Sequence, residues 1–122
     1  MANSTSGGNC AGHIIDGGYN IDDGIDDGIY SGTCGFTEDE EHNSLPGRDP
    51  LLAKKLANNG GPTKTIALLK DSPAINAIPK GESGCATEIT SDQRGVSRPQ
   101  GSGCEIGAYE KEEPIKRKVR SR

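Results

Sequence analysis

Asp92-Gln93-Arg94-Gly95-Val96-Ser97-Arg98-Pro99-Gln100-Gly101-Ser102-Gly103-Cys104-Glu105-Ile106-Gly107-Ala108-Tyr109-Glu110 joins two unlike halves. Its first half ends a Gly-, Ser- and Arg-rich loop over residues 79–103. Its second half predicts a strand from Cys104 to Glu110, with Cys104, Ile106 and Ala108 on one face. The charged residues Asp92, Arg94, Arg98 and Glu110 punctuate the run. We expect them to form a structural ionic cluster that holds loops in place, because an arginine fork pairs with a carboxylate bidentately. A binding site for an anionic sugar is the functional alternative.

Such links matter here because apolar residues are scarce. Leu, Ile, Val and Phe number 20 of 122 residues. That lies below the roughly 20% at which disorder becomes an option, although a net charge of only −4 adds little self-repulsion. There is no Trp and only one Phe, against 18 Gly and 7 Pro. This composition argues against a helical bundle or an aromatic core. It suits a turn-rich all-β fold, a stapled scaffold, or part of something larger.

Working outward, Ser72-Pro73-Ala74-Ile75 begins extended, since the proline restricts Ser72. Thr63 to Leu69 predicts a strand, with Thr65, Ala67 and Leu69 on one face and Ile66 and Leu68 on the other. Asn58-Asn59-Gly60-Gly61-Pro62 is a turn. Asp49 to Ala57 reads as the one candidate helix, capped by Asp49 with Pro50 in its first turn. The same residues also read as a short strand entered from a turn. From Cys10 to Phe36, strand-sized apolar pieces alternate with Gly and Asp. Within them Ile21-Asp22-Asp23-Gly24 is duplicated as Ile25-Asp26-Asp27-Gly28, the kind of insertion a surface loop tolerates.

The four cysteines, Cys10, Cys34, Cys85 and Cys104, permit three pairings. The simplest is local, Cys10 with Cys34 and Cys85 with Cys104, closing loops that each contribute about 3 kcal/mol in the chain-entropy account. Disulfides imply an oxidising compartment. Yet residues 1–8 carry neither the basic nor the apolar region of a secretory signal. Export would then be encoded upstream, or the thiols stay reduced. No stretch approaches the ~20 apolar residues of a membrane span.

Charge is uneven. Residues 1–47 hold nine acids and no Lys or Arg, while residues 111–122 hold six bases and two acids. The basic end reads as a solvated, disordered tail. An acidic body without interleaved aromatic and basic residues argues against nucleic-acid binding.

Three phrases in order carry a resemblance. They are Asp49-Pro50-Leu51-Leu52 through Asn59-Gly60-Gly61-Pro62-Thr63-Lys64-Thr65-Ile66-Ala67-Leu68, then Ser72-Pro73-Ala74-Ile75, then Asp92 to Glu110. Asn9-Cys10, Asp16-Gly17-Gly18-Tyr19-Asn20 and Cys34-Gly35-Phe36 extend it upstream. Residues 9–110 thereby resemble the C-terminal end of the choice-of-anchor Q domain of exported bacterial right-handed parallel β-helix proteins. The resemblance implies the last coils of a β-helix (a solenoid) with long Gly- and Asp-rich loops. A disordered N-terminus over 1–8 and a basic tail over 111–122 would flank it. It implies an extracellular or cell-surface setting and a non-catalytic structural segment that contacts glycan or protein, and it supplies no catalytic residues. The tail has no apolar anchor segment, so anchoring is not implied.

The remaining constellations are weak. Asp22, Asp23, Asp26 and Asp27 could bind Ca²⁺, but their spacing misses the known calcium loops, and a solvated acidic turn is the plainer reading. His13 and His42 are isolated, and no Gly-x-Ser-x-Gly elbow is present. No cofactor is otherwise indicated. The competing function is a fragment of a β-helical polysaccharide lyase or glycoside hydrolase; the few outward charges on the short strands favour the non-enzymatic reading. An uncapped first coil, with Ile14, Ile15 and Ile21 bare, would leave the chain either marginally stable or self-associating through its N-terminal end.

Overall fold

The computed structural model describes residues 1–4, 8–24 and 33–113. Four strands of two residues each are found among them: β1 (Ile21–Asp22), β2 (Leu45–Pro46), β3 (Ile78–Pro79) and β4 (Gly103–Cys104). β1 and β2 pair in parallel, Ile21 opposite Leu45. β3 and β4 pair antiparallel, Ile78 opposite Cys104. No described residue is helical.

This corrects the β-helix expectation. A solenoid needs coil after coil in parallel register, whereas the described residues hold one parallel strand pair and one isolated parallel bridge, Cys85 to Ile89, and the second sheet runs antiparallel. The backbone explains why. Tyr19 (φ 55°) precedes β1, Asn43 (φ 54°) and Gly47 (φ 64°) bracket β2, and Asn76 (φ 55°) and Gly81 (φ 90°) bracket β3. A left-handed residue cannot sit in an extended ladder, so β2 and β3 stop almost where they start and β1 cannot reach back past Tyr19.

The same effect decides residues 49–57. Asp49 Oδ1 accepts the Leu51 N–H at 2.9 Å, and Leu51 turns to φ 51°. That closes a turn and forbids the helix. The segment then runs against residues 65–69, bridging Ala57 to Thr65 and Leu52 to Leu68 in antiparallel sense. Five steps on one side thus span three on the other, so the residues around Lys54 to Leu56 bulge outward. The mismatch also breaks the expected alternation: Thr65 and Leu68 are buried, one from each predicted face, while Ile66 and Leu69 are exposed. Likewise the predicted strand Cys104–Glu110 is regular only at Gly103–Cys104.

The core is small. Ile21, Leu68 and Ala74 form its centre, with Leu45, Leu52, Ile75, Ile106 and Tyr109 packed against it. Ile21 is therefore not part of a bare first coil, whereas Ile15 stands 85% exposed. The Met1 ammonium donates to the Ile21 carbonyl at 2.6 Å, and Asn3 N–H donates to Asp23 at 3.0 Å. Two disulfides staple the chain, Cys10–Cys34 and Cys85–Cys104, with Cα atoms 5.0 and 5.9 Å apart. The second half of the Ile-Asp-Asp-Gly duplication and tail residues 114–122 lie outside the described residues.

Candidate functional site

The charged residues expected to meet do lie together at the C-terminal end of the fold. Asp92 and Arg94 form an ion pair at 3.0 Å, with both side chains almost wholly buried. Asp92 Oδ1 accepts the N–H groups of Arg94 and Val96, and its Oδ2 accepts that of Glu110 at 2.9 Å. Burial acts to raise the Asp92 pKa, but these N–H donors and the guanidinium outweigh it and hold the carboxyl below its ordinary value. The Arg94 fork also donates to the carbonyls of Asn59 at 2.9 Å and Glu110 at 2.6 Å, and its charge lies 4.0 Å from the centre of the Tyr109 ring. One side chain thus fastens the 58–62 turn to the 92–96 turn and to the backbone at Glu110. The turn must come close: a Cβ at Gly61 would meet the Arg94 Cα at 2.8 Å, so only glycine fits.

Arg98 works beside it. It donates to the carbonyls of Glu105 and Gly107 and lies 3.7 Å from Glu110. Its Nε is buried without a partner among the described residues. Glu110 accepts the N–H groups of Gln100 and Glu105. Glu105, which alternation places on the outer face of a strand, is 2% exposed. It accepts the N–H groups of Asn76 at 2.8 Å and Lys111 at 2.6 Å. Burial, with the neighbouring Glu110 charge, pushes its pKa up. Sequence reasoning missed Glu105 because nothing local marks it; its donors lie on residues 76 and 111.

The N-terminal half repeats the device. Asp22 is fully buried. It accepts Asn9 Nδ2 at 2.6 Å and the N–H groups of Gly24, Cys34 and Thr33. Asp16 accepts Gly18 N–H at 2.9 Å, Ser44 Oγ at 2.8 Å and Asn20 Nδ2 at 3.0 Å. Burial opposes ionisation of Asp16, yet these donors with Thr37 N–H lower its pKa from 3.8 to about 2. A carboxyl whose folded pKa is depressed stabilises the fold at pH above its unfolded value, and that stabilisation is lost as pH falls through the folded value. Asp16→Asn should therefore be less stable than the parent near neutral pH. The gap should close as pH drops from 3.8 to about 2. Urea titrations along that range check it; a constant gap would mean that the charge of Asp16 is not what matters.

Of the candidate calcium residues, Asp22 and Asp23 are described and Asp26 and Asp27 are not. Both carboxylate oxygens of Asp22 are engaged by protein donors. Among the described residues no group of three or more His, Cys, Asp or Glu is arranged to hold a metal ion.

The surface offers a different feature. Two clefts of about 410 Å³ each share walls made by Leu52, Ile66, Leu68, Ile106 and Gly107. One extends toward Leu56, Lys64 and Tyr109, the other toward Ile21, Pro50 and Ala74. Lys64 is the one charged side chain on these walls. The buried charges and this groove are adjacent but separate: the arginines and carboxylates bind backbone, while the groove is apolar.

No family model, curated protein or solved structure matches the chain. The structure by itself defines a small disulfide-stapled protein of irregular β architecture, with carboxylates capping its loops. No described helix is long and apolar enough to cross a membrane. Two disulfides are the mark of an oxidising environment.

Proposed function

We propose that the chain is a non-catalytic interaction segment of an exported or cell-surface protein, contacting protein or glycan through its apolar groove. The observation that carries this is the division of labour just described. The buried acids and arginines are engaged mostly with backbone groups, and two neighbouring, largely apolar clefts are left open to solvent. The disulfides support export. So does the likeness of residues 9–110 to the end of choice-of-anchor Q domains, although the β-helix that accompanies that likeness does not carry over.

The test is a screen against acidic and neutral polysaccharides and against peptides, with and without Ca²⁺, reading both binding and cleavage. Binding without new chain ends is the expected result. New reducing ends or unsaturated uronate products would sink the non-catalytic reading in favour of a lyase or hydrolase.

A further inference from the structure

We propose that the Cys10–Cys34 disulfide is a reversible redox site: exchange with a dithiol–disulfide couple opens and recloses it in the folded chain while Cys85–Cys104 stays intact. This goes beyond the interaction reading above and does not depend on it.

The two bridges differ first in access. Cys85 and Cys104 are each 2% exposed. Cys104 lies in β4, opposite Ile78 of β3. Cys85 is held by backbone bonds to Gly81 and Glu82, both at 2.8 Å. A thiolate reaches that bridge only after this part of the fold has opened. Cys34 is buried too, but Cys10 is partly exposed, and Ala11 and Gly12 beside it are exposed. Met1 lies against the bridge, with its Sδ 3.0 Å from Cys10 Sγ, and is itself exposed. No packed interior stands between Cys10 and solvent.

The N-terminal bridge also has a second fastening that involves no sulfur. Asn9, next to Cys10, donates its N–H to Thr33 Oγ at 2.9 Å. Its Nδ2 donates to Asp22 at 2.6 Å and to Asp23 at 2.7 Å. Asp22 accepts the N–H groups of Thr33 and of Cys34, the latter at 2.7 Å. The residues flanking both cysteines thus converge on one fully buried carboxylate. After reduction these bonds still tie the ends of the 24-residue span together. They also keep the two thiols close, which raises their effective concentration for reclosing.

The exchange balances. A thiolate of the dithiol attacks Cys10 Sγ, the S–S bond to Cys34 breaks, and Cys34 leaves as a thiolate that takes a proton. The second thiol gives up its proton and attacks the sulfur of its own molecule in the mixed disulfide, which frees Cys10 as a thiol. Two electrons and two protons pass to the cysteine pair, and the dithiol becomes a disulfide. The reverse sequence closes the bridge.

The experiment treats the disulfide-intact chain near neutral pH with dithiothreitol at graded ratios to its oxidised form. Timed samples are quenched with N-ethylmaleimide and read by mass spectrometry and peptide mapping. We expect a species with two labels, on Cys10 and Cys34, to form at least about tenfold faster than one with four. It should keep a cooperative melt, at a lower midpoint than the parent, and exchange protection at the Cys34 amide. Unquenched samples moved into excess oxidised dithiothreitol should regain the native pairing. Asn9→Ala should shift the dithiol equilibrium toward the open form by about fivefold, the worth of roughly one net hydrogen bond. It should leave the rate at Cys85–Cys104 unchanged.

First labelling at Cys85 and Cys104, or all four cysteines labelled together, would overturn the proposal. So would a two-label species with no cooperative melt, since opening would then be unfolding. An Asn9→Ala equilibrium equal to that of the parent would overturn the part assigned to the Asn9–Asp22 fastening.

Discussion

Arg94→Ala should lower the thermal midpoint by at least about 12 °C. The Arg94 side chain is 3% exposed, and its guanidinium serves Asp92, Asn59 and Glu110 together. Removing it leaves Asp92 charged and buried, and leaves two carbonyls without a donor. Breaking a buried pair in this way costs about 3–5 kcal/mol, and a domain of this size is stable by only about 5–15 kcal/mol. Arg94→Lys should recover less than half of the loss, because a lysine keeps the charge but cannot span three acceptors in one plane. Melting curves near neutral pH decide it. A midpoint within a few degrees of the parent would show that the turns at residues 58–62 and 92–96 and the backbone at Glu110 are held by something else.

The second large effect is reduction. The Cys10–Cys34 and Cys85–Cys104 bridges span 24 and 19 residues. Each contributes about 3 kcal/mol by restricting the unfolded chain, so together they are comparable with the whole stability of a small domain. Excess reductant should abolish the cooperative melt. Replacing Cys85 and Cys104 together with alanine should be milder, freeing the loop over 81–89 from β4 while leaving the N-terminal staple. Peptide mapping of the oxidised chain should recover the two local pairs. A main species joining Cys10 to Cys85 would overturn the assignment, and a reduced chain that still melts cooperatively would overturn the energetics.

What the sequence by itself determined is what local chemistry determines. Scarce apolar residues and abundant Gly and Pro ruled out a helical bundle, and no described residue is helical. Cysteine spacing favoured short loops, and both bridges are local. Asp92 and Arg94 are two residues apart, so their pairing needs little more than a turn.

The tertiary structure decided the rest. The β-helix expectation failed because phrase order says nothing about φ, and left-handed residues such as Tyr19, Asn43, Leu51 and Asn76 interrupt extended runs among the described residues. Nothing in Asp49-Pro50-Leu51-Leu52 shows that Leu51 must turn to φ 51°. Thr65 and Leu68 share the interior because the 52–57 side bulges, which a period-two reading of residues 63–69 cannot see. Glu105 became an interior anchor because Asn76, 29 residues away, presents its N–H there. The clefts exist because Ile66 and Ile106, far apart in the chain, come together to line them. Burial of a charge and the sharing of a cleft are properties of neighbours in space, and only the folded chain sets who those neighbours are.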